Sequence, residues 1–472
     1  MKFRVGREAL GDAVAFVSRA LPSRPVVPLL SGMLLQADLD CLSLSCFDYE
    51  VSARITVEAE IIEPGTALVP GRLLAEITRS LPARPAEFTD DGDAVTLTCG
   101  SAEFGLVCLP VQDYPALPES PPSLGAVDGG VLAAAVGQVV TSASRDDTLP
   151  MLTAVCLDIS DERMTLVATD RYRLAAREVP FAPAVPGLRA IALVPAKVMA
   201  ETARSLPSGV PATIAFGAGG VPGGTVGGSG DDPHPADGLI SFQAGDRRLT
   251  ARLIPGEFIR YRTRFNGEFS CQADLPAESV IEAVRRASLV AERAGPVRLS
   301  FRPGHVVIEA HAEGRARAAE TVPADFSGDT PAMSFNPHFL LDGLVAAASV
   351  GSSAGQPGAQ QSDAGRAGDA DRPAAGTDTE SVADAVPAEP AGLANGENAG
   401  GDAEHRSGSG RIRLRFNTPA KPALITWADP DSGRSSGSAD GHPAGARADE
   451  SGSAGDTAFR YLLVPLRVPT SA

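Results

Sequence analysis

Residues 67–82 read ALVPGRLLAEITRSLP and residues 192–207 read ALVPAKVMAETARSLP, the same string displaced by 125 positions. A shorter third copy, MSFNPHFLLDGL, occupies residues 333–344. Each copy opens on an apolar run of strand character and then places a proline where the spacing predicts the first helical turn. That turn tolerates proline because the N–H it lacks has no partner there. Apolar residues at helical spacing follow. A second element recurs in phase with the first: EALGDAV at 8–14, GVLAAAV at 130–136 and ESVIEAV at 278–284 each predict a helix near the start of a unit. Behind them lie LSLSC (42–46), MTLVA (164–168) and VVIEA (306–310), which carry the two-residue period of half-buried strands. The chain therefore reads as three copies of one α+β unit, each with two helices on antiparallel sheets. A period this long describes domains and not solenoid turns.

The length of 472 residues allows two to four domains at roughly 100–200 residues each. Asp and Glu number 58 against 41 Lys and Arg, for a net charge of -17. That excess does not exclude a nucleic-acid partner, because the field at one face is set by the charges on that face and not by the average. No apolar run approaches the length of a membrane span, and the opening MKFRV lacks the apolar centre of a secretory signal, so a cytoplasmic protein without membrane contact is expected. Six scattered cysteines without a CxxC pair fit reduced thiols. Three inserts interrupt the repeat: a Gly-rich one at 217–237 and acidic ones at 351–410 and 430–455. Their composition buries too little apolar area to offset chain entropy, which predicts disorder.

The predicted helices carry basic residues: Arg19, Arg72 and Arg79 in the first unit, Lys197 and Arg204 in the second, Arg285 and Arg286 in the third. In repeat register Arg72 falls on Lys197 and Arg79 on Arg204. A single surface arginine is ordinarily a solvated one, but charge recurring at matching helix positions suits a surface that meets phosphates without reading bases. Enzyme signatures do not accompany it. The sequence has no GxxxxGK[ST], no HExxH and no Cys/His cluster at zinc spacing, so no catalytic residue, metal site or cofactor is expected. His305 and His311 share a strand face without a third ligand nearby. Asp48 and Asp170 occupy matching positions, in FDYE (47–50) and TDRY (169–172), where a turn role is expected. Asp90, Asp91 and Asp93 around Gly92 read as a hairpin tip.

Further strings give the chain a family likeness: LPSRPVVPLLSGM (21–33), LPVQDYPALP (109–118), ATDRYRLA (168–175), GEFIRYR (256–262) and YLLVPLR (461–467). In this order and spacing, together with the threefold repeat, the chain resembles the bacterial β sliding clamps, the processivity subunits of DNA polymerase III. The resemblance implies three tandem DNA-clamp domains, at 1–122, 126–256 and 257–472, forming half of a closed ring. It further implies a head-to-tail homodimer around double-stranded DNA, a clamp loader that opens it, and a cleft for peptides of the polymerase III alpha subunit and other clamp-motif proteins. Nucleotidyltransferase chemistry then belongs to the polymerase and not to this chain.

Carried over residue by residue, DNA contacts fall on Arg24, Arg72 and the Pro150-Met151 loop, to which the repeat adds Arg79, Lys197 and Arg204. The cleft falls on Leu152, Thr169, Arg171, Arg173, Leu174, Ile259, Thr263, Arg264, Leu462 and Val464. The dimer seam falls on Phe104 and Leu106 of one copy against Ser288 and Leu289 of the other. Several positions depart from the family pattern. Ile259 replaces a usual proline, Arg264 an apolar residue and Arg171 a small one, Val464 and Leu466 stand where Met is frequent, and Pro150-Met151 lacks an aromatic pair. These departures carry the expectation of a divergent or second-copy clamp with altered partner choice. The alternative is a divergent clamp-fold paralogue that acts as scaffold or regulator without loading onto DNA, which loss of the seam or of Arg24 and Arg72 would mark.

Overall fold

The computed structural model describes residues 1–207, 209–217, 238–291, 295–312, 314–329, 332–354, 410–428 and 459–466. The inserts 217–237, 351–410 and 430–455 lie outside the described residues except at their margins. Among the described residues are helices α1 (Arg7–Ser18), α2 (Gly71–Ser80), α3 (Gly129–Val139), α4 (Ala196–Ser205), α5 (Arg262–Phe265), α6 (Ala277–Val290) and α7 (Pro337–Ala354). Helix α7 thus runs four residues into the segment that composition assigned to the second insert. Helices α1 and α2, α3 and α4, and α6 and α7 pack as pairs, one pair per repeat. Their apolar faces bury Leu10, Val14, Leu74, Leu132, Val136, Val280 and Leu340 against the sheets.

The prolines do not all sit where the spacing placed them. Pro337 begins α7, but Pro70 and Pro195 precede α2 and α4 as N-caps with ψ of 104° and 127°. Both are the last residues of strands, paired with Gly32 and Ala154. A strand end accommodates proline because no further ladder donor is needed there. The matched turns form as expected. Asp48 Oδ1 accepts from the N–H groups of Glu50 and Val51, and Asp170 Oδ1 accepts from those of Tyr172 and Arg173. At the tip around Gly92 (φ +97°), the glycine N–H donates to Asp90 Oδ1 at 2.9 Å.

Two nine-stranded antiparallel sheets continue across the domain boundaries. In the first, Arg247–Arg252 of the second repeat pairs with Val51–Glu58 of the first, with Leu249 opposite Ala53. In the second, Phe459–Leu463 of the third repeat pairs with Arg173–Pro180 of the second, with Leu174 opposite Leu462. The joins are therefore main-chain ladders. A five-stranded sheet ends on Ala102–Val107 and a four-stranded one on Ala316–Pro323, and each of these strands is hydrogen-bonded along one side only among the described residues. Open edges of this kind are templates for another strand.

Candidate nucleic-acid and peptide-binding sites

Two of the basic residues of the first repeat, Arg24 and Arg72, meet at one loop. Arg72 reaches from α2 and donates through Nη2 to the Pro22 carbonyl at 2.8 Å, beside exposed Arg24. Arg79 lines a groove of about 420 Å³ between α1 and α2 with Arg7, Glu8 and Asp12. On α4, Lys197 is exposed, while Arg204 is ion-paired with Glu201 and its carbonyl accepts from Arg19 Nη1 at 3.4 Å. The third repeat differs. Arg285 and Arg286 are engaged by Glu282, and Arg286 also by Glu320 at 2.8 Å, so carboxylates one helical turn away and on the neighbouring strand offset their charge. Pro150 and Met151 open a single exposed 3₁₀ turn, Pro150–Thr153.

The second candidate site lies on the outer face of the second shared sheet, beneath the segment that links the second and third repeats. Leu174 and Leu462 are directly opposed in the ladder and form an apolar floor with Cys156, Val167, Leu424, Tyr261 and Phe265. The link is pinned by Asp158, a buried carboxylate that accepts from the Tyr261 hydroxyl at 2.6 Å and from Arg262 Nη2 at 2.8 Å. Burial pushes the Tyr261 phenol above the ordinary tyrosine range, and the neighbouring Asp158 charge adds to the shift. Beside this floor a groove of about 700 Å³ is lined by Arg264, Glu268, Phe269, Lys421, Pro422 and Leu462, among others. It offers an apolar floor with charged rims, the chemistry of a site for a short peptide with apolar anchors.

Of the ten positions carried over for the cleft, Arg264 and Leu462 line this groove, and Leu174 lies in the apolar cluster beside it. Ile259 and Thr263 stand exposed on the link, Leu152 and Thr169 are buried, and Arg171 is exposed at φ +78°. The N–H of Val464 donates to the Tyr172 carbonyl at 2.9 Å, which anchors the strand end. Phe269 and Lys421 were not singled out from sequence. Lys421 occupies the hairpin between Arg411–Phe416 and Ala423–Ala428, and only knowledge of which strands share the sheet places it beside Leu462.

Arg173 points to the opposite face of the same sheet. With 9% of its side chain exposed, it donates to Asp170 at 2.9 Å, to Asp342 of α7 and to the Thr141 carbonyl, and it stacks 4.2 Å from the Phe339 ring. The Tyr461 hydroxyl closes the cluster by donating to the Phe339 carbonyl at 2.7 Å. This arginine therefore bolts the second repeat to the third from beneath, and peptide rim is not where the fold puts it.

Comparison with known proteins agrees with this architecture. Residues 1–118, 126–259 and 267–350 match, in order, the N-terminal, central and C-terminal domains of the DNA polymerase III beta subunit. The beta sliding clamp of Streptomyces coelicolor is 49% identical over 346 residues, covering 73% of this chain and 88% of that protein. The chain belongs to the bacterial sliding-clamp family. The beta sliding clamp homolog GriR of Streptomyces muensis is 40% identical, over 73% of this chain and 88% of that protein. A solved Bacillus subtilis DNA polymerase sliding clamp, 20% identical, superposes with a TM-score of 0.72 over 99% of both chains and shares the fold.

At the open edges of this sliding-clamp chain, Phe104 is half-buried and Leu106 fully buried in their own domain, while Val107 is 72% exposed. Leu289, near the end of α6, is 83% exposed, and the Ser288 hydroxyl donates to the Arg285 carbonyl at 2.6 Å. The described residues contain no cluster of three His, Cys, Asp or Glu side chains suited to a metal ion. They also contain no helix long and apolar enough to cross a membrane.

Proposed function

We propose that this chain is a DNA polymerase processivity factor. Two copies close head to tail into a ring around double-stranded DNA, and the groove beside Leu462 tethers the polymerase III alpha subunit and other partners through short apolar peptides. The observation that carries the reading is the pattern of strand joins: each internal join uses the final strand of one repeat and the fourth strand of the preceding one, and both members of one further such join stand open among the described residues. Arg24, Arg72, Arg79, Lys197 and Arg204, with the Pro150-Met151 turn, would meet phosphates without reading sequence, as a sliding ring requires. A clamp loader opens the ring, transfer chemistry remains with the polymerase, and the protein works in the cytoplasm where the chromosome is copied. The charged groove rim, Arg264 and Lys421, favours one second reading, a clamp-fold scaffold or regulator that is never loaded.

The test is retention on nicked circular DNA after incubation with the cognate loader and ATP, before and after one restriction cut. Retention on the circle followed by rapid loss on linearisation is expected. Failure to stay on the circle, while the principal clamp of the same cell stays in parallel, would overturn the ring reading in favour of the scaffold.

A further inference from the structure

The register of the internal join can be transferred to the open edges, because the repeat supplies both strands a second time. Cys99 pairs with Ala102 around Gly100 (φ +64°), as Ala244 pairs with Arg247 around Gly245 (φ +56°), so Ala102–Val107 corresponds to Arg247–Arg252. On the receiving side, Leu42 pairs with Val57 and the matching Val306 with Val322, so Val51, Ala53 and Ile55 correspond to Ala316, Ala318 and Glu320. The internal join sets Arg247 opposite Ile55, Leu249 opposite Ala53 and Ala251 opposite Val51. Transferred, it sets Ala102 opposite Glu320, Phe104 opposite Ala318 and Leu106 opposite Ala316.

Between these pairs, Glu103 falls opposite Ala319 and Gly105 opposite Arg317, all on the solvent face. Each long charged side chain thus faces a small residue, and Glu103 and Arg317 become diagonal neighbours, a separation that long side chains bridge. Glu103 is exposed. Arg317 is exposed too, and its contact with Glu309, at 2.9 Å, leaves its side chain 65% accessible. The charge around the two edges is complementary beyond this pair. Asp91 and Asp93 stand exposed at the hairpin beside Val107, whereas the segment 311–317 holds Arg315 and Arg317 against Glu313.

With the seam in that register, we infer that it is selected by an ion pair between Glu103 of one copy and Arg317 of the other, acidic on the first domain and basic on the third. This rests on the ring reading proposed above. It makes the chain recognise its own kind: a clamp whose first-domain edge is basic would meet Arg317 with like charge, and like-charge juxtaposition suppresses wrong partners.

Charge exchange in the full-length protein tests it. Native mass spectrometry and sedimentation are run on wild type, Glu103→Arg, Arg317→Glu and their equimolar mixture, with circular dichroism as a check on folding. Wild type is expected to be dimeric and each variant to dissociate at least about tenfold more readily, because both of its seams carry like charges. In the mixture both seams regain opposite charges, so a dimer with one chain of each kind is expected at about wild-type affinity. Variants that dimerise like wild type, or a mixture that stays dissociated, would overturn the ion pair while leaving the ring intact. A monomeric wild type would overturn both readings. The register has its own readout: Glu103→Cys with Ala319→Cys should oxidise to a covalent dimer that neither single variant gives, and failure to cross-link in a dimeric protein rejects the transferred register.

Discussion

Replacing Arg173 with alanine should loosen the join between the second and third domains more than any surface change of equal size. The guanidinium links Asp170, Asp342, the Thr141 carbonyl and the Phe339 ring, groups supplied by both domains. Removing one partner of a buried ion pair costs about 3–5 kcal/mol, since the remaining charge loses its compensation. Two features pull the value to the lower end. Asp342 is 38% exposed and regains water, and Asp170 keeps the backbone donors of Tyr172 and Arg173 at 3.0 Å each. With a cation–π contact of about 0.5–1 kcal/mol added, the expected loss is about 3–4 kcal/mol. That is more than a hundredfold in the local unfolding equilibrium, at about 1.4 kcal/mol per tenfold. Trp427, the single tryptophan, lies on Ala423–Ala428 in the same sheet, so its emission during urea titration reports this join. Arg173→Lys should fall between, because it keeps the charge but not the planar fork. Arg163→Ala, which breaks a pair with Glu178 at an arginine 72% exposed, should cost under about 1 kcal/mol. If Arg173→Ala unfolds within about 1 kcal/mol of wild type, or at no lower urea concentration than Arg163→Ala, the cluster does not bolt the two domains together.

Three further outcomes are expected. Burial pushes the phenols of Tyr114, Tyr261 and Tyr461 above the ordinary tyrosine value. With folded values raised, the stabilisation is complete below the unfolded value of about 10 and is lost as pH rises beyond it, because the unfolded chain then binds fewer protons. Phenolate absorbance from these three should therefore appear together with unfolding, and Tyr261→Phe should soften the alkaline loss. Arg24→Ala and Arg72→Ala should each reduce the slope of log affinity against log salt on linear duplex by about 0.9, and an unchanged slope would remove that residue from the phosphate contacts. Trp427 packs against Gly351 and Gly410, the first and last residues of the second insert, and a Cβ would lie 2.0 and 1.5 Å from its ring. Gly410→Ala should therefore destabilise by about 1–3 kcal/mol with a shift in Trp427 emission, and a neutral result would mean that the indole has room to move.

The sequence by itself determined the unit and its threefold repetition. Helix and strand periodicities are local properties of 67–82, 192–207 and 333–344, and the turns at Asp48 and Asp170 need only a side chain beside its own backbone. The residues that carry the family likeness were legible for the same reason. Where each side chain goes was decided by tertiary structure. Arg173 and Leu174 are adjacent in a motif, yet strand alternation sends one under the sheet to Asp342 and the other to the apolar cluster opposite Leu462. Leu106 turns into its own domain, so Glu103 and Val107 are left to face outward. Lys421 joins Arg264 only because Ala423–Ala428 and Phe459–Leu463 fill the join between domains. Local periodicity carries no record of which distant strands pair, and those pairings decide what lies at a groove, a bolt or an open edge.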